Sequence, residues 1–580
     1  MKFNKPFAIA GTIQGIGLWW MWHAVSEKVW PATDPHVFFA FLWPMLAVPL
    51  ALYWTEAIPG LSLKHRARLL FGVAVLFAGL GFYEAWSSEV SLIGSWRGDS
   101  PWRSSMAVAV LLFVGVHLMA CHRWPRGGWN YPDLFEYTWR NGVLTSTASS
   151  MLGAFWCILF AGAGLLKLVG VEWVWETITK SWFAYPASGV VLAAAFALGI
   201  RRAGMAMTIR KFLLSIMSWL LPLVLLFAVV WSVVMPVMGL DKLFKTGHAA
   251  FMMLWFAALA IKFVNCAYQD GEQGDPYPAW LSRVTQWAWL GMLPVVVVAL
   301  WALGLRIQQY GWSVGRIWGL WVAVVGALYV LGYLCSLRDR SRWMAAISRS
   351  NIVASVILCV GTLILLSPLA DSRRLAFASQ ISKYDPASKE KSAQPDWRFL
   401  SYETGRYGRE QLREWSEGKG LPVEHPWIAL SKGALSQRET HQQADVDISA
   451  DTLPSKLVPH PKGKKLPPDF VAQVLREKDD WRWKQCFKDV CHIWVGDLDS
   501  DGQDELVVFA TLGVDSVVDS SGNLYAHRGE KWVPLGAVST VDRSTASPRF
   551  EARALDEASA EIPKYKDLVI GGRRLYWSRW

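Results

Sequence analysis

The fold class predicted here is an α-helical polytopic membrane bundle of about eleven spans, carrying a C-terminal periplasmic α+β domain. Three observations predict it. Long apolar runs fill the first 370 residues, and basic residues gather in alternate gaps between them. Beyond residue 370 the chain turns polar, with only short apolar stretches. Of 580 residues, 53% are hydrophobic and 18% charged, whereas soluble domains carry about 25% charged residues. Tryptophan is abundant, at 36 residues, of which nine lie beyond residue 370 and 27 before it. Indole has an apolar body and one N–H donor, so it gathers at membrane interfaces. A purely soluble enzyme is excluded.

The runs lie at about 6–25, 37–55, 68–86, 105–122, 148–171, 182–200, 212–238, 248–268, 284–304, 314–335 and 350–370. Each is long enough to cross about 30 Å of hydrocarbon at about 1.5 Å per residue. The first follows Lys2 and Lys5 like a signal peptide, but it ends in Trp19-Trp20-Met21-Trp22 instead of a small-residue cleavage site. It reads as a retained helix. Lys64, Arg66 and Arg68 follow the second run, and Arg123, Arg126 and Arg140 the fourth. Arg201, Arg202, Arg210 and Lys211 follow the sixth, and Arg338, Arg340, Arg342 and Arg349 the tenth. These even-numbered gaps and the N-terminus are therefore expected in the cytoplasm. Asp270, Glu272 and Asp275 oppose Arg283 after the eighth run, an exception of small weight because acidic residues contribute little to the rule. An odd number of spans places residues 371–580 outside, in the periplasm of a bacterial inner membrane.

The formal charge of +11 divides into +12 for residues 1–370 and −1 for the remainder. Because the excess sits between apolar runs and not on a soluble face, nucleic acid is not an expected partner. Membrane lipids are, and other envelope proteins are further candidates. The spans contain Glu84, His117, Lys167 and Lys262, each close enough to a helix end to snorkel toward the interface. A buried polar pathway is the alternative. No nucleotide-binding G-x-x-x-x-G-K-[ST], H-E-x-x-H or G-x-S-x-G sequence is present, so no catalytic residues are assigned. Segment 131–141 reads as an interfacial amphipathic helix with Leu134, Tyr137 and Asn141 along one side. Asn265 to Gly271 reads as a glycine-terminated helix end, with a polar vestibule as the alternative.

Those two segments, together with Arg306-Ile307-Gln308-Gln309-Tyr310-Gly311-Trp312, Arg316, Asp396-Trp397-Arg398-Phe399-Leu400 and Gly405-Arg406-Tyr407-Gly408-Arg409, resemble a bacterial family. It is the polytopic membrane family known as domain of unknown function 4153. The resemblance covers about 130–415 and implies a multi-span cytoplasmic-membrane protein, with no catalytic residues to carry over.

The organisation expected is a transmembrane domain at 1–370, a periplasmic linker and helical region at 371–465, and an α+β domain at 466–580. Helices are predicted at 408–417 and 469–480, and strands at 492–495, 506–510, 523–527, 532–535 and 568–570. Between the first two strands lies Asp497-Leu498-Asp499-Ser500-Asp501-Gly502-Gln503-Asp504-Glu505. Carboxylates at positions one, three and five, a turn-forming glycine at six, the Gln503 carbonyl at seven and Glu505 at nine supply the oxygen ligands that calcium prefers. An EF-hand would need Glu at position twelve, where Val508 stands. The loop resembles the D-x-D-x-D-G-x-x-[DE] hairpin of FG-GAP or VCBS repeats, and calcium is its expected, structural cofactor. Asp497, Asp499, Asp501, Gln503 and Glu505 are the expected ligands. Cys486 and Cys491 enclose four residues and are expected to form a disulfide in an oxidising compartment. The functional expectation is a structural or regulatory envelope protein. A transporter or lipid-handling protein is one alternative. A membrane-embedded transferase using Arg306, Tyr310, Trp312 and Arg316 is the other.

Overall fold

The computed structural model describes residues 5–90, 92, 102–123, 127–239, 243, 246, 248–272, 274–338, 343–382, 395–422, 425–442, 452–477, 483, 490–499, 502–511, 517–529, 531–539, 550–558, 568–570 and 573–575. The chain divides into two compact units, Met1–Ile428 and Ala429–Trp580.

The first unit is helical. Its long helices are α1 (Lys5–Ser26), α2 (Pro35–Glu56), α3 (Leu63–Ser88), α4 (Trp102–Cys121) and α5 (Tyr131–Leu168). After the short α6 (Trp173–Thr179) come α7 (Ser181–Arg201), α8 (Ala203–Met238) and α9 (Ala249–Tyr268). Helix α10 (Ala279–Ala288) passes through a single 3-10 turn into α11 (Met292–Tyr310), followed by α12 (Val314–Leu334) and α13 (Ile347–Leu365). Three short helices come next: α14 (Ser372–Ile381), α15 (Trp397–Tyr402) and α16 (Gly405–Ser416). Among the described residues, ten helical segments are long and apolar enough to cross a membrane, with α10 and α11 counted as one. The chain is a multi-pass membrane protein.

Ten is one fewer than the eleven expected, and the difference is α1. Gln14, three glycines and His23 dilute its apolar content. Its packing is nevertheless intimate. A Cβ on Gly11 would lie 2.4 Å from the Gly189 carbonyl oxygen, and one on Gly15 would lie 2.6 Å from the Pro186 Cα. Gly11-x-x-x-Gly15 thus lets α1 meet α7 backbone to backbone, as small residues do between membrane helices. Phe7, Tyr53 and Phe196 lock α1, α2 and α7 together, with successive ring centroids 4.8 Å apart.

Helix α5 corrects a second expectation. Segment 131–141 is not a separate interfacial helix but the first turns of a continuous 38-residue helix. Nothing in Gly142-Val143-Leu144-Thr145 breaks it, and the Thr145 and Thr147 hydroxyls bond back to the Asn141 and Val143 carbonyls. Leu134 and Asn141 are buried, and Tyr137 is half-buried.

Helix α17 (Pro426–Gln442) crosses the boundary between the units. In the second unit, α18 (Leu453–Lys456) leads directly into β1 (Leu457–His460), and α19 (Pro468–Arg476) then crosses over to β2 (Cys491–Gly496). Strands β3 (Glu505–Thr511), β4 (Val517–Arg528) and β5 (Lys531–Ser539) follow. The sheet order is β1-β2-β3-β4-β5, with the two-residue β6 (Phe550–Glu551) on β4. β7 (Leu568–Ile570) and β8 (Arg573–Leu575) form a separate antiparallel pair. β1 and β2 are parallel and the other pairings antiparallel. The short apolar β1, Leu457-Val458-Pro459-His460, was not among the strands expected. Cys491, Ile493 and Val495 alternate into a core with Leu506, Tyr525, Phe470 and Trp532. Helix α19 is tied to β5 through Gln473, which donates to the Trp532 carbonyl and accepts from its N–H, and through Asp469, which accepts from the Trp532 indole.

Candidate functional site

The acidic loop joins β2 to β3 with Gly496 and Glu505 paired at its base. Gly502 takes a φ of 85°, which favours glycine, and so turns the chain sharply. Its N–H donates to Asp497 Oδ2 at 3.0 Å, and the Leu498 N–H donates to Glu505 Oε2 at 2.6 Å. These bonds bring Asp497, Asp499 and Glu505 together: one carboxylate oxygen from each lies within 4.8 Å of the others. Oxygens on opposite sides of one calcium ion are separated by about 5 Å, twice the usual ligand distance. The spread therefore suits a single cation. Glu505 is buried, Asp497 is half-buried and Asp499 is exposed. Gln503 is exposed beside them, while Asp501 lies outside the described residues. Cys491 is buried at the start of β2, and Cys486 lies outside the described residues.

A second cluster in the same unit had no counterpart in the sequence reading. His460 Nδ1 meets Asp556 Oδ1 at 2.7 Å, and His460 Nε2 meets His492 Nδ1 at 2.8 Å. Burial, reinforced by His460, holds the His492 imidazole below its ordinary value, against the opposing pull of Asp556. The hydrogen bond from His460 holds Asp556 below the usual carboxylate range.

Among the membrane helices, two of the four ionisable candidates do not snorkel. His117 is fully buried, placing Nδ1 2.6 Å from the Phe113 carbonyl and Nε2 2.8 Å from Asn141 Nδ2. Asn141 also donates to the Trp54 carbonyl, so α2, α4 and α5 share one polar knot. This network suits a neutral imidazole with the proton on Nδ1. Glu84 is likewise buried, and its partner is described below. Lys262 is exposed, and Lys167 sits 5.4 Å from the Trp175 ring centroid.

Asn265 does more than end a helix. The helix does stop at Tyr268, with Gln269 at a positive φ, but Asn265 Nδ2 donates to Tyr333 Oη at 2.8 Å. Asn351 Nδ2 donates to Asn265 Oδ1 at 2.6 Å and to Tyr131 Oη at 2.8 Å, while Tyr333 donates to Asn351 Oδ1. One end of α5, α9, α12 and α13 is thereby joined by a single side-chain network. Asn351→Leu is expected to cost about 1–3 kcal/mol, since it leaves buried polar partners unpaired. Thermal melting of the detergent-solubilised protein reads this as a lowered midpoint.

At the start of the polar region, α14 and α16 pack on the end of α3. Arg373 reaches Glu84 with both terminal nitrogens, at 2.7 and 3.2 Å, and Ser87 Oγ at 3.1 Å. Asp371 caps α14 and accepts from Tyr83 at 2.7 Å. Arg409 and Arg413 both bind Glu89. Burial alone would raise the Glu89 carboxyl, but the two guanidiniums bring it below its ordinary value. Gly405, at a φ of 59°, is required here because a Cβ would lie 2.2 Å from the Ser87 carbonyl oxygen. The Arg306, Tyr310, Trp312 and Arg316 cluster serves a similar purpose. Both guanidiniums face the Tyr310 ring, and Gln380 of α14 donates to the Tyr310 and Trp312 carbonyls.

Residues 245–403 match the family described as Domain of unknown function (DUF4153). The matched region runs from just before α9 to just after α15. It contains Asn265, Tyr333 and Asn351 of the polar network, and Asp371 and Arg373 of the α3 anchor. Tyr131, Glu84 and the acidic loop lie outside it. The match is thus narrower than the stretch of about 130–415 expected from the sequence. No curated protein and no solved structure matches the chain.

Proposed function

We propose that this is a structural or regulatory protein of the bacterial inner membrane. With α1, which packs backbone to backbone on the spanning helix α7, taken as an eleventh crossing, its N-terminus is cytoplasmic and its C-terminal unit is a periplasmic domain stabilised by calcium. The observation that carries the reading is the convergence of Asp497, Asp499 and Glu505 oxygens within 4.8 Å. Three carboxylates held so close repel one another, and a hard cation with oxygen preference relieves that repulsion. Asp501 and the Gln503 carbonyl complete the proposed ligand set. The loop joins two paired strands directly, so a bound cation would fix the hairpin. Calcium in the periplasm follows the medium, which suits a folding aid better than a rapid signal. Calorimetric titration of the purified, chelator-stripped protein should show calcium binding that Asp499→Ala abolishes. A wild-type titration without binding heat would overturn the calcium reading.

The same location bears on the cysteines. Cys121, Cys157, Cys266, Cys335 and Cys359 are free thiols. We assign Cys486 and Cys491 as a disulfide that tightens the approach to β2, contributing about 2 kcal/mol for so short a loop. In the unfolded protein, peptide mapping should find both cysteines labelled by a thiol reagent only after reduction. Labelling of either without reductant would refute the pairing.

A further inference from the structure

A groove of about 760 Å³ lies between α8 and α10. Its volume lies within the roughly 300–1,000 Å³ typical of small-ligand sites. Val229 and Val233 of α8 form one wall, and Trp280, Val284 and Trp287 of α10 the other. The floor exists because the helix breaks into a 3-10 turn at Trp289–Gly291. A Cβ on Gly291 would lie 3.0 Å from the Val229 backbone nitrogen, so glycine lets the two elements touch there. Ser232 is occupied within the protein, its hydroxyl donating to the Gly291 carbonyl at 2.8 Å. Arg283 is the one charged residue lining the groove. Among the described residues it has no ion-pair or hydrogen-bond partner.

The surroundings of Arg283 fix which end of the bundle it occupies. Gln286 donates to the Ser336 carbonyl at 2.7 Å, and the Trp343 indole donates to the Ser282 carbonyl at 3.0 Å. The start of α10 therefore packs beside the α12–α13 connection, which carries Arg338. Trp280, Val284 and Trp287 follow helical spacing and are 67%, 55% and 54% exposed, as an apolar stripe facing lipid would be. Tryptophans flanking an arginine at the end of membrane helices mark the headgroup level.

We infer that this groove binds an anionic glycerophospholipid from the surrounding bilayer, with its phosphate on Arg283 and an acyl chain along the valine wall. An unpaired guanidinium at the edge of hydrocarbon is poorly solvated, and phosphate supplies the charge and the acceptor oxygens it lacks. A small soluble anion would leave the apolar walls unfilled, which favours a lipid over free phosphate. An occupied groove would give the membrane body a lipid-handling role in addition to its scaffold.

The test is native mass spectrometry of the full-length protein reconstituted with an equimolar mixture of phosphatidylglycerol and phosphatidylcholine. Wild type should retain phosphatidylglycerol in preference. Arg283→Gln should reduce that preference about five-fold, the loss expected for one basic group at an anionic surface. Val233→Trp should reduce retention of both lipids by filling the groove. Lys262→Gln, at an exposed position on α9, should change neither, and inorganic phosphate should displace no lipid. Equal selectivity in wild type and Arg283→Gln would overturn the proposal, as would displacement by inorganic phosphate. Arg283 is exposed, so its substitution keeps the test valid even if Val233→Trp fails to fold.

Discussion

Replacing Glu84 by alanine is expected to destabilise the helical unit by about 3–5 kcal/mol, the usual cost of removing one partner of a buried ion pair. The side chains of Glu84 and Arg373 retain only 5% and 11% of their exposure. Arg373 binds both carboxylate oxygens and the Ser87 hydroxyl, so the loss leaves a buried guanidinium without its carboxylate. The expected readout is a lowered melting midpoint in detergent and protease sensitivity at 371–416. Glu84→Leu combined with Arg373→Leu should recover much of the loss, because removing both charges also removes their desolvation cost. A wild-type midpoint for Glu84→Ala would show that the pair contributes little.

Removing calcium should have the second largest effect. At free calcium about 100 times the dissociation constant, the stabilisation is about 2.7 kcal/mol. The full-length protein should therefore show its C-terminal transition at a lower temperature in chelator than in calcium. Calorimetry suits this experiment, because 27 of the 36 tryptophans lie before residue 370 and would mask the signal of Trp483 and Trp532 in the core of that unit. Asp499→Ala should match the chelator result in both buffers. Coincident transitions for the unmodified protein would leave the loop as a hydrogen-bonded acidic turn.

The membrane helices were legible because length and apolarity are local properties, and ten of the eleven expected runs are helices of spanning composition. The acidic loop was legible for a similar reason: its spacing is contained in nine consecutive residues, and a tight turn gathers such residues without help from the rest of the chain. The contacts that local sequence does not reveal are long-range. Glu84 and Arg373 are 289 positions apart, and nothing local distinguishes a glutamate that meets an arginine from one that snorkels. The same holds for Tyr131 and Asn351, joined across 220 positions. Gly11-x-x-x-Gly15 was a readable signal for close helix packing, and Ser87-Ser88-Glu89 marked a polar end on α3 suited to docking. Parallel β1 was hidden because its four residues include a proline, which weakens any strand pattern.

The location of the C-terminal unit is the central claim, and alkaline phosphatase fusions test it most directly, since that enzyme is active only after export. A fusion after Ser379 should be active in cells, and one after Arg202 should be inactive. Activity of the Arg202 fusion together with an inactive Ser379 fusion would invert the topology and place the acidic loop in the cytoplasm, contradicting the account.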